Sequence, residues 1–288
     1  MKSEEEIINH VLYVANSDDR VRAVLLTGSR ANLSVPKDIF QDFDIIYIVW
    51  QMDSFINDKQ WIDIFGERLI LQLPDEMSMG KEDDHAFHYL MLFKDGNRID
   101  LTLFPLEKFE TAFKKDSLTV SLLDKDDLFK NLPPANDTDY HIKRPAEKEF
   151  TDCCNEFWWV STYVAKGLWR KEITYAKEMM EVPVRWMFLK MIEWYIGIKN
   201  DFAVTVGKAG RNMKKYISPQ LYDKILFTYP DSNIENIWES LFEMTNLFDE
   251  LASEIAGFLE FHYKKDEACN VKAYLQEVYT NSKERRLT

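Results

Sequence analysis

The sequence predicts an α+β protein in two parts: an N-terminal domain with a mixed β-sheet and flanking helices (residues 1–135), and a C-terminal all-helical bundle (136–288). Three observations predict it. Short runs rich in β-branched and aromatic residues, bounded by polar segments, are confined to the first half. Two of these runs flank Lys94-Asp95-Gly96-Asn97, a hairpin turn, so the sheet cannot be wholly parallel. A turn-rich, apolar-poor stretch, Asn131-Leu132-Pro133-Pro134-Ala135-Asn136-Asp137, then separates them from a region in which apolar residues recur only at helical spacing.

Each element has a local reason. Ser3-x-x-Glu6 is a capping box, and Ile7, Ile8, Val11, Leu12 and Ala15 continue it at helical spacing. Ala23–Leu26 is a strand ending at Thr27-Gly28-Ser29. Further strands are expected near 43–50, 67–73, 88–93 and 98–104, and at Val120–Leu123. Helices are expected near 54–65 and over Glu107–Lys115. In the second half Pro145 suits a first helical turn, and that helix runs to about Lys171. Pro183 breaks or kinks the next segment, and Val184–Ile198 forms an apolar helix. Ser218-Pro219 opens another, Ile234–Tyr263 is long and amphipathic, and the last spans 268–279. Trp158, Trp169, Trp186, Trp194, Tyr195 and Trp238 are expected in the core of this bundle, with Cys153 and Cys154 packed as small apolar groups.

Composition sets the outer limits. With 288 residues and 46% apolar content the chain supports a sizeable core, which excludes general disorder. No long apolar stretch suggests a membrane span, and the acidic start Met1-Lys2-Ser3-Glu4-Glu5-Glu6 lacks a signal core, so a cytoplasmic location is expected. Three cysteines give no disulfide framework, and five scattered histidines show no zinc spacing. A net charge of −13 argues against a nucleic-acid partner. It suits a small polycationic substrate, and it equally serves solubility.

The chemistry concentrates in the first half. Asp42 and Asp44 bracket Phe43 at the start of a strand, so their carboxylates point the same way. Paired carboxylates repel unless a cation sits between them, and Mg²⁺ is bound by one or two carboxylates plus substrate phosphates. Twelve residues earlier in spacing, Gly28-Ser29 forms a turn whose backbone can approach a phosphate closely, with the Ser29 hydroxyl as a donor. Arg30 is either a phosphate partner or a surface ion-pair partner. Asp100 lies with Arg98 and Thr102 on the strand face opposite Ile99, Leu101 and Leu103, where a carboxylate is costly unless paired or bound to metal.

In the second half, the helix after Pro145 has two unlike faces. Phe150, Cys154, Phe157, Ser161, Val164 and Leu168 suit a core. Glu149, Asp152, Glu156, Tyr163, Lys166 and Arg170 form a polar stripe, acidic at its start and basic at its end. Lys166 lies about 21 Å along the helix from Asp152 at the usual rise per residue. The same order of charges also favours the helix dipole, so a solvated face explains it equally well.

Together these segments carry a resemblance. Leu26-Thr27-Gly28-Ser29-Arg30, Phe40-Gln41-Asp42-Phe43-Asp44-Ile45, Trp61-Ile62-Asp63-Ile64-Phe65-Gly66, Asp95-Gly96-Asn97-Arg98-Ile99-Asp100-Leu101-Thr102-Leu103 and Asp152-Cys153-Cys154-Asn155-Glu156-Phe157-Trp158 resemble the aminoglycoside 6-adenylyltransferases, within the polymerase β-type nucleotidyltransferase superfamily. The resemblance implies transfer of AMP from ATP to a hydroxyl, expected to be the 6-hydroxyl of streptomycin, with release of pyrophosphate. It implies Mg²⁺ held by Asp42, Asp44 and Asp100, with Asp100 acting as ligand or as general base. Gly28, Ser29, Arg30 and Lys166 are expected at the ATP phosphates. Asp152 and Glu156 are expected at the guanidinium groups of streptomycin, with Glu149 a weaker candidate and Trp159 a stacking wall. Alternatives are the same transfer to another aminoglycoside, a lincosamide or a protein side chain, or a non-catalytic nucleotide-binding module. A monomer is expected, with neither nucleic acid nor membrane as partner.

Overall fold

The computed structural model describes residues 1–33, 35–79 and 85–287. The chain divides into two compact units, Met1–Asp139 and Tyr140–Thr288.

The first unit is built on a six-stranded mixed sheet. Its strands are β1 (Val21–Thr27), β2 (Phe43–Val49), β3 (Arg68–Gln72), β4 (Phe87–Phe93), β5 (Arg98–Pro105) and β6 (Thr119–Asp124), in the order β3-β4-β5-β2-β1-β6. The β2–β5 pair is parallel and the other neighbours are antiparallel. Phe43, Ile45, Tyr47, Tyr89, Met91, Ile99, Leu101 and Leu103 alternate onto one face and are buried. They pack against Ile7, Val11 and Ala15 of helix α1 (Glu4–Ser17), whose start carries the expected reciprocal Ser3–Glu6 cap. Tyr47 is anchored there by donating its hydroxyl to the Val11 carbonyl at 2.6 Å. The opposite face of β2 and β5 is polar at one end, with Asp44, Arg98, Asp100 and Thr102, and apolar at the other, where Ile48 and Phe104 pack with Phe109 and Phe129 in a second cluster.

A short helix α2 (Gly28–Ala31) follows β1. The single helix expected near 54–65 is instead two pieces, α3 (Met52–Ile56) and a 3₁₀ turn over Trp61–Phe65. The cause is Asp58, whose carboxylate accepts from the Gln60 amide at 3.1 Å and whose carbonyl accepts from Trp61; this local turn competes with helix continuation. Beyond β5 a 3₁₀ turn (Leu106–Lys108) leads into the short helix α4 (Phe109–Ala112).

The second unit is helical: α5 (Glu147–Arg170), α6 (Ile173–Met179), α7 (Arg185–Lys199), α8 (Pro219–Phe227), α9 (Ile234–Leu259) and α10 (Lys265–Leu287). Pro183 does not end a helix. It sits in a π-helical turn, Met180–Val184, that joins α6 to α7, where the wider turn absorbs the missing amide. Arg185, buried beside this turn, donates to Glu181 Oε2 at 3.1 Å and to Thr228 Oγ1 at 2.5 Å, and stacks over Tyr229. The last helix is longer than its apolar pattern suggested because residues outside 268–279, among them the good helix formers Lys265 and Lys283, extend it without apolar spacing. Trp158, Trp194 and Trp238 are in the core as expected, whereas Trp169 and Trp186 are exposed. Cys153 and Cys154 are buried, and burial pushes the Cys153 thiol up to about 12, which makes it a packing group and not a nucleophile. Among the described residues no helix is long and apolar enough to cross a membrane.

Asp249 is the one buried carboxylate of α9 among the described residues. It accepts from Lys265 and Lys272 at 2.7 Å each and from the Tyr263 hydroxyl at 2.9 Å. Burial works to raise its pKa, but these donors hold the carboxyl below its usual range. A depressed carboxylate stabilises the fold at neutral pH and loses that contribution as pH falls through its folded-state pKa. Asp249→Asn is therefore expected to lower stability by about 2 kcal/mol at pH 7. Urea unfolding should show this deficit shrinking in acid.

Candidate active site

The polar end of that second sheet face is organised by register. In the parallel pair, Asp44 of β2 stands directly opposite Asp100 of β5; across the antiparallel neighbour, Asp44 pairs with Thr27 of β1. Residues opposed in a sheet have neighbouring side chains when they share a face. Both Asp44 and Asp100 alternate with buried neighbours, Phe43 and Ile45 in one strand and Ile99 and Leu101 in the other. Asp42 precedes β2 on the same side. The three acids expected from the sequence are thus neighbours on one face of the sheet.

The turn after β1 closes against them. Gly28 has φ +67°, in the left-handed region, and a Cβ built there would lie 2.2 Å from Asp44 Oδ2. Only glycine permits that approach. Ser29 follows, half-buried in the first turn of α2.

Arg30, expected at the ATP phosphates, is instead spent on the chain. It is buried, and donates through Nε to the Gln41 and Asp42 carbonyls at 3.2 and 3.1 Å and through Nη2 to Gln41 at 2.7 Å. Its Nη1 donates to Glu4 Oε2 at 3.1 Å, and its guanidinium covers the Phe43 ring at 3.8 Å. It braces the backbone that presents Asp42. The reason is steric: Arg30 points inward from a helix of four residues, where chain carbonyls are the nearest acceptors.

Arg98, which the sequence places on the face of Asp100 without a role, is its partner. Its guanidinium forks onto Asp100, Nε to Oδ1 and Nη2 to Oδ2 at 2.7 Å each, and Nη1 lies 3.5 Å from Asp42 Oδ2. The signal was present: a cation two residues before Asp100 on a strand lies on the same face.

Electrostatics follow the crowding. Burial first, then the like charges of Asp100 and Asp42, push the Asp44 carboxyl from its ordinary 3.8 up to about 6. Burial also raises Asp42, against the pull of Arg98 and Arg30 and with the push of Asp100. Close carboxylates that share no cation cannot all ionise freely. This is a donor set of hard oxygens that fits Mg²⁺ in chemistry and charge. No three carboxylate, imidazole or thiolate groups among the described residues stand gathered as a ready-made metal cluster. The nearest cation to the acids is the Arg98 guanidinium.

In the second unit the polar stripe of α5 is exposed except at Tyr163, which is half-buried against the core. Glu149, a weaker substrate candidate, is taken up by the start of its own helix, accepting from the Ala146 amide at 2.8 Å. Asp152 pairs with Lys148 one turn earlier, an exposed contact of small energetic weight. Glu156 is exposed one turn beyond Asp152. Trp159, 61% exposed, donates its Nε1 to the Tyr163 hydroxyl at 2.6 Å, and Lys166 lies over the same Tyr163 ring. Trp159 and Lys166 share a cleft of about 490 Å³ between α5 and α10, with Trp158, Asn270 and Tyr274 among its walls. The sequence had assigned these two residues to different ligands, because helix spacing alone cannot show what α10 places beside them.

Comparison with known proteins extends the picture over nearly the whole chain. Residues 1–278 match the family model described as streptomycin adenylyltransferase. An aminoglycoside 6-adenylyltransferase from Campylobacter jejuni is 46% identical over 91% of this chain and 91% of its own. One from Bacillus subtilis (strain 168) is 39% identical over 98% of this chain and 100% of its own. A crystal structure of an aminoglycoside 6-adenyltransferase from Bacillus subtilis is 35% identical, covering 97% of this chain and 99% of that one, with a TM-score of 0.48. The chain belongs to the streptomycin adenylyltransferase family and is a nucleotidyltransferase.

Proposed function

We propose that this enzyme transfers AMP from Mg-ATP to a hydroxyl of streptomycin, the 6-hydroxyl, with release of pyrophosphate. The observation that carries this reading is the grouping of Asp42, Asp44 and Asp100 on one sheet face against the Gly28 turn. Asp42, Asp44 and Asp100 are the residues that would hold Mg²⁺, which when bound neutralises the triphosphate and lowers the pKa of the attacking hydroxyl. The Gly28-Ser29 turn brings a backbone amide and a hydroxyl to the edge of the acid group, suited to phosphate oxygens. Arg30 serves by holding the Asp42 carbonyl, and hence its carboxylate, in place. Transfer of this kind depends mainly on positioning and electrostatic stabilisation, which a rigid sheet face supports.

For the acceptor, the family match and the exposed carboxylates of Asp152 and Glu156 support a polycationic drug. Guanidinium groups pair bidentately with carboxylates, and the overall negative charge favours their approach. Trp159 offers an exposed ring for stacking, and Lys166, in the same cleft, a cation for anionic groups. The test is pyrophosphate release across a panel of streptomycin, other aminoglycosides and lincosamides. Release with streptomycin is expected; release only with another acceptor, or with none, overturns the assignment. On the same assay Glu156→Gln is expected to raise the streptomycin KM about tenfold and to leave the ATP KM unchanged. Equal effects on both would remove Glu156 from the acceptor site.

A further inference from the structure

Two arginines touch the acid group, and they are held very differently. Arg30 is closed in by chain carbonyls, Glu4 and the Phe43 ring, with its side chain only 6% exposed. Arg98 has a side chain 41% exposed, and the partners its guanidinium meets are Asp100 and Asp42. It occupies both oxygens of Asp100 and approaches one of Asp42. A bidentate fork of this kind is a strong contact, yet its exposure leaves the side chain room to turn outward.

We propose that Arg98 is a displaceable counter-ion of the acid group: it pairs with Asp100 and approaches Asp42 in the free enzyme and passes to the triphosphate when Mg-ATP binds. The inference rests on the metal-site reading above. A guanidinium and a divalent cation repel each other and cannot share the same carboxylate oxygens. A metal ion arriving alone must therefore displace Arg98 without giving it another partner. A triphosphate supplies that partner, since guanidinium forks onto phosphate as well as onto carboxylate. Metal and triphosphate then each favour the binding of the other, and such coupling is reciprocal. Until the nucleotide arrives Arg98 offsets part of the charge of Asp100 and Asp42, which eases the crowding of the acids in the folded free enzyme.

The test uses Mn²⁺ as a spectroscopic probe, with free Mn²⁺ followed by electron paramagnetic resonance on the full-length protein without nucleotide. Arg98→Gln is expected to bind Mn²⁺ about tenfold more tightly than the parent, a typical size for such coupling. Arg98→Lys keeps the charge and loses the fork, and should fall between. In turnover, Arg98→Gln is expected to raise the KM for Mg-ATP even though it binds the bare metal better. General damage to the site would weaken both, so the opposite signs identify displacement. Unchanged or weaker Mn²⁺ binding in Arg98→Gln overturns the proposal. Asp44→Asn provides the reference: loss of Mn²⁺ binding there, with no gain in Arg98→Gln, sinks this inference alone. No loss in Asp44→Asn sinks the metal-site reading beneath it.

Discussion

Asp44→Asn is expected to reduce pyrophosphate release by about 10³-fold, the scale on which removing one strong electrostatic contact at a reacting centre acts. The same change should not cost stability at neutral pH. Asp44 is raised to about 6 by burial and by its acidic neighbours. Between 3.8 and about 6 the folded protein therefore binds more protons than the unfolded chain, and stability falls as pH rises through that window. Above it the ionised carboxylate opposes folding. Asparagine removes that opposition, so the variant's Tm at pH 7 should equal or exceed that of the parent. At pH 4, where Asp44 is largely protonated when folded, the gain should vanish. Calorimetric scans at the two pH values, beside the activity assay, separate a lost function from a lost fold. Near-normal turnover in Asp44→Asn would remove it from the catalytic group.

The second large effect is expected at Gly28. Alanine there meets two obstacles: a backbone at φ +67°, and the Asp44 carboxylate oxygen 2.2 Å from the new methyl group. The first costs about 1 kcal/mol. The second displaces the carboxylate, and a shift of about 1 Å in a positioned group can cost on the order of 10²-fold in rate. Gly28→Ala is thus expected to lose about two orders of magnitude in kcat with a modest drop in Tm. Gly96, in the β4–β5 turn, is the matched control. It also has positive φ, at +85°, but a methyl group there meets only the flexible end of Met1. Gly96→Ala should show a similar Tm loss and unchanged kcat. If the two variants lose activity alike, backbone strain and not the approach to Asp44 is responsible.

Much of this was legible in the sequence, for identifiable reasons. Alternation fixed which side chains of β2 and β5 share a face, so Asp42, Asp44 and Asp100 were separable from Phe43, Ile99 and Leu101 without any coordinates. The hairpin was readable from Asp95-Gly96, and the start of α1 from its cap. Pairing order was not. That β5 lies beside β2, in parallel and with Asp100 opposite Asp44, depends on contacts between segments 56 positions apart, which no local pattern encodes. Side-chain allegiance was equally hidden. Arg30 follows a phosphate-type turn and reads as a ligand, yet its acceptors are carbonyls eleven and twelve residues on. Glu149 reads as part of an acidic stripe, yet the nearest bare amide is that of its own helix. The π-helical turn at Pro183 shows the same limit, because a proline reads as a stop unless neighbouring helices hold the chain through it.

The Glu4–Arg30–Asp42 chain has a practical corollary. The first turn of α1 is mechanically linked to the acid group through the Arg30 guanidinium. A change at Glu4 would loosen that linkage at its outer end while leaving Asp42, Asp44 and Asp100 in place.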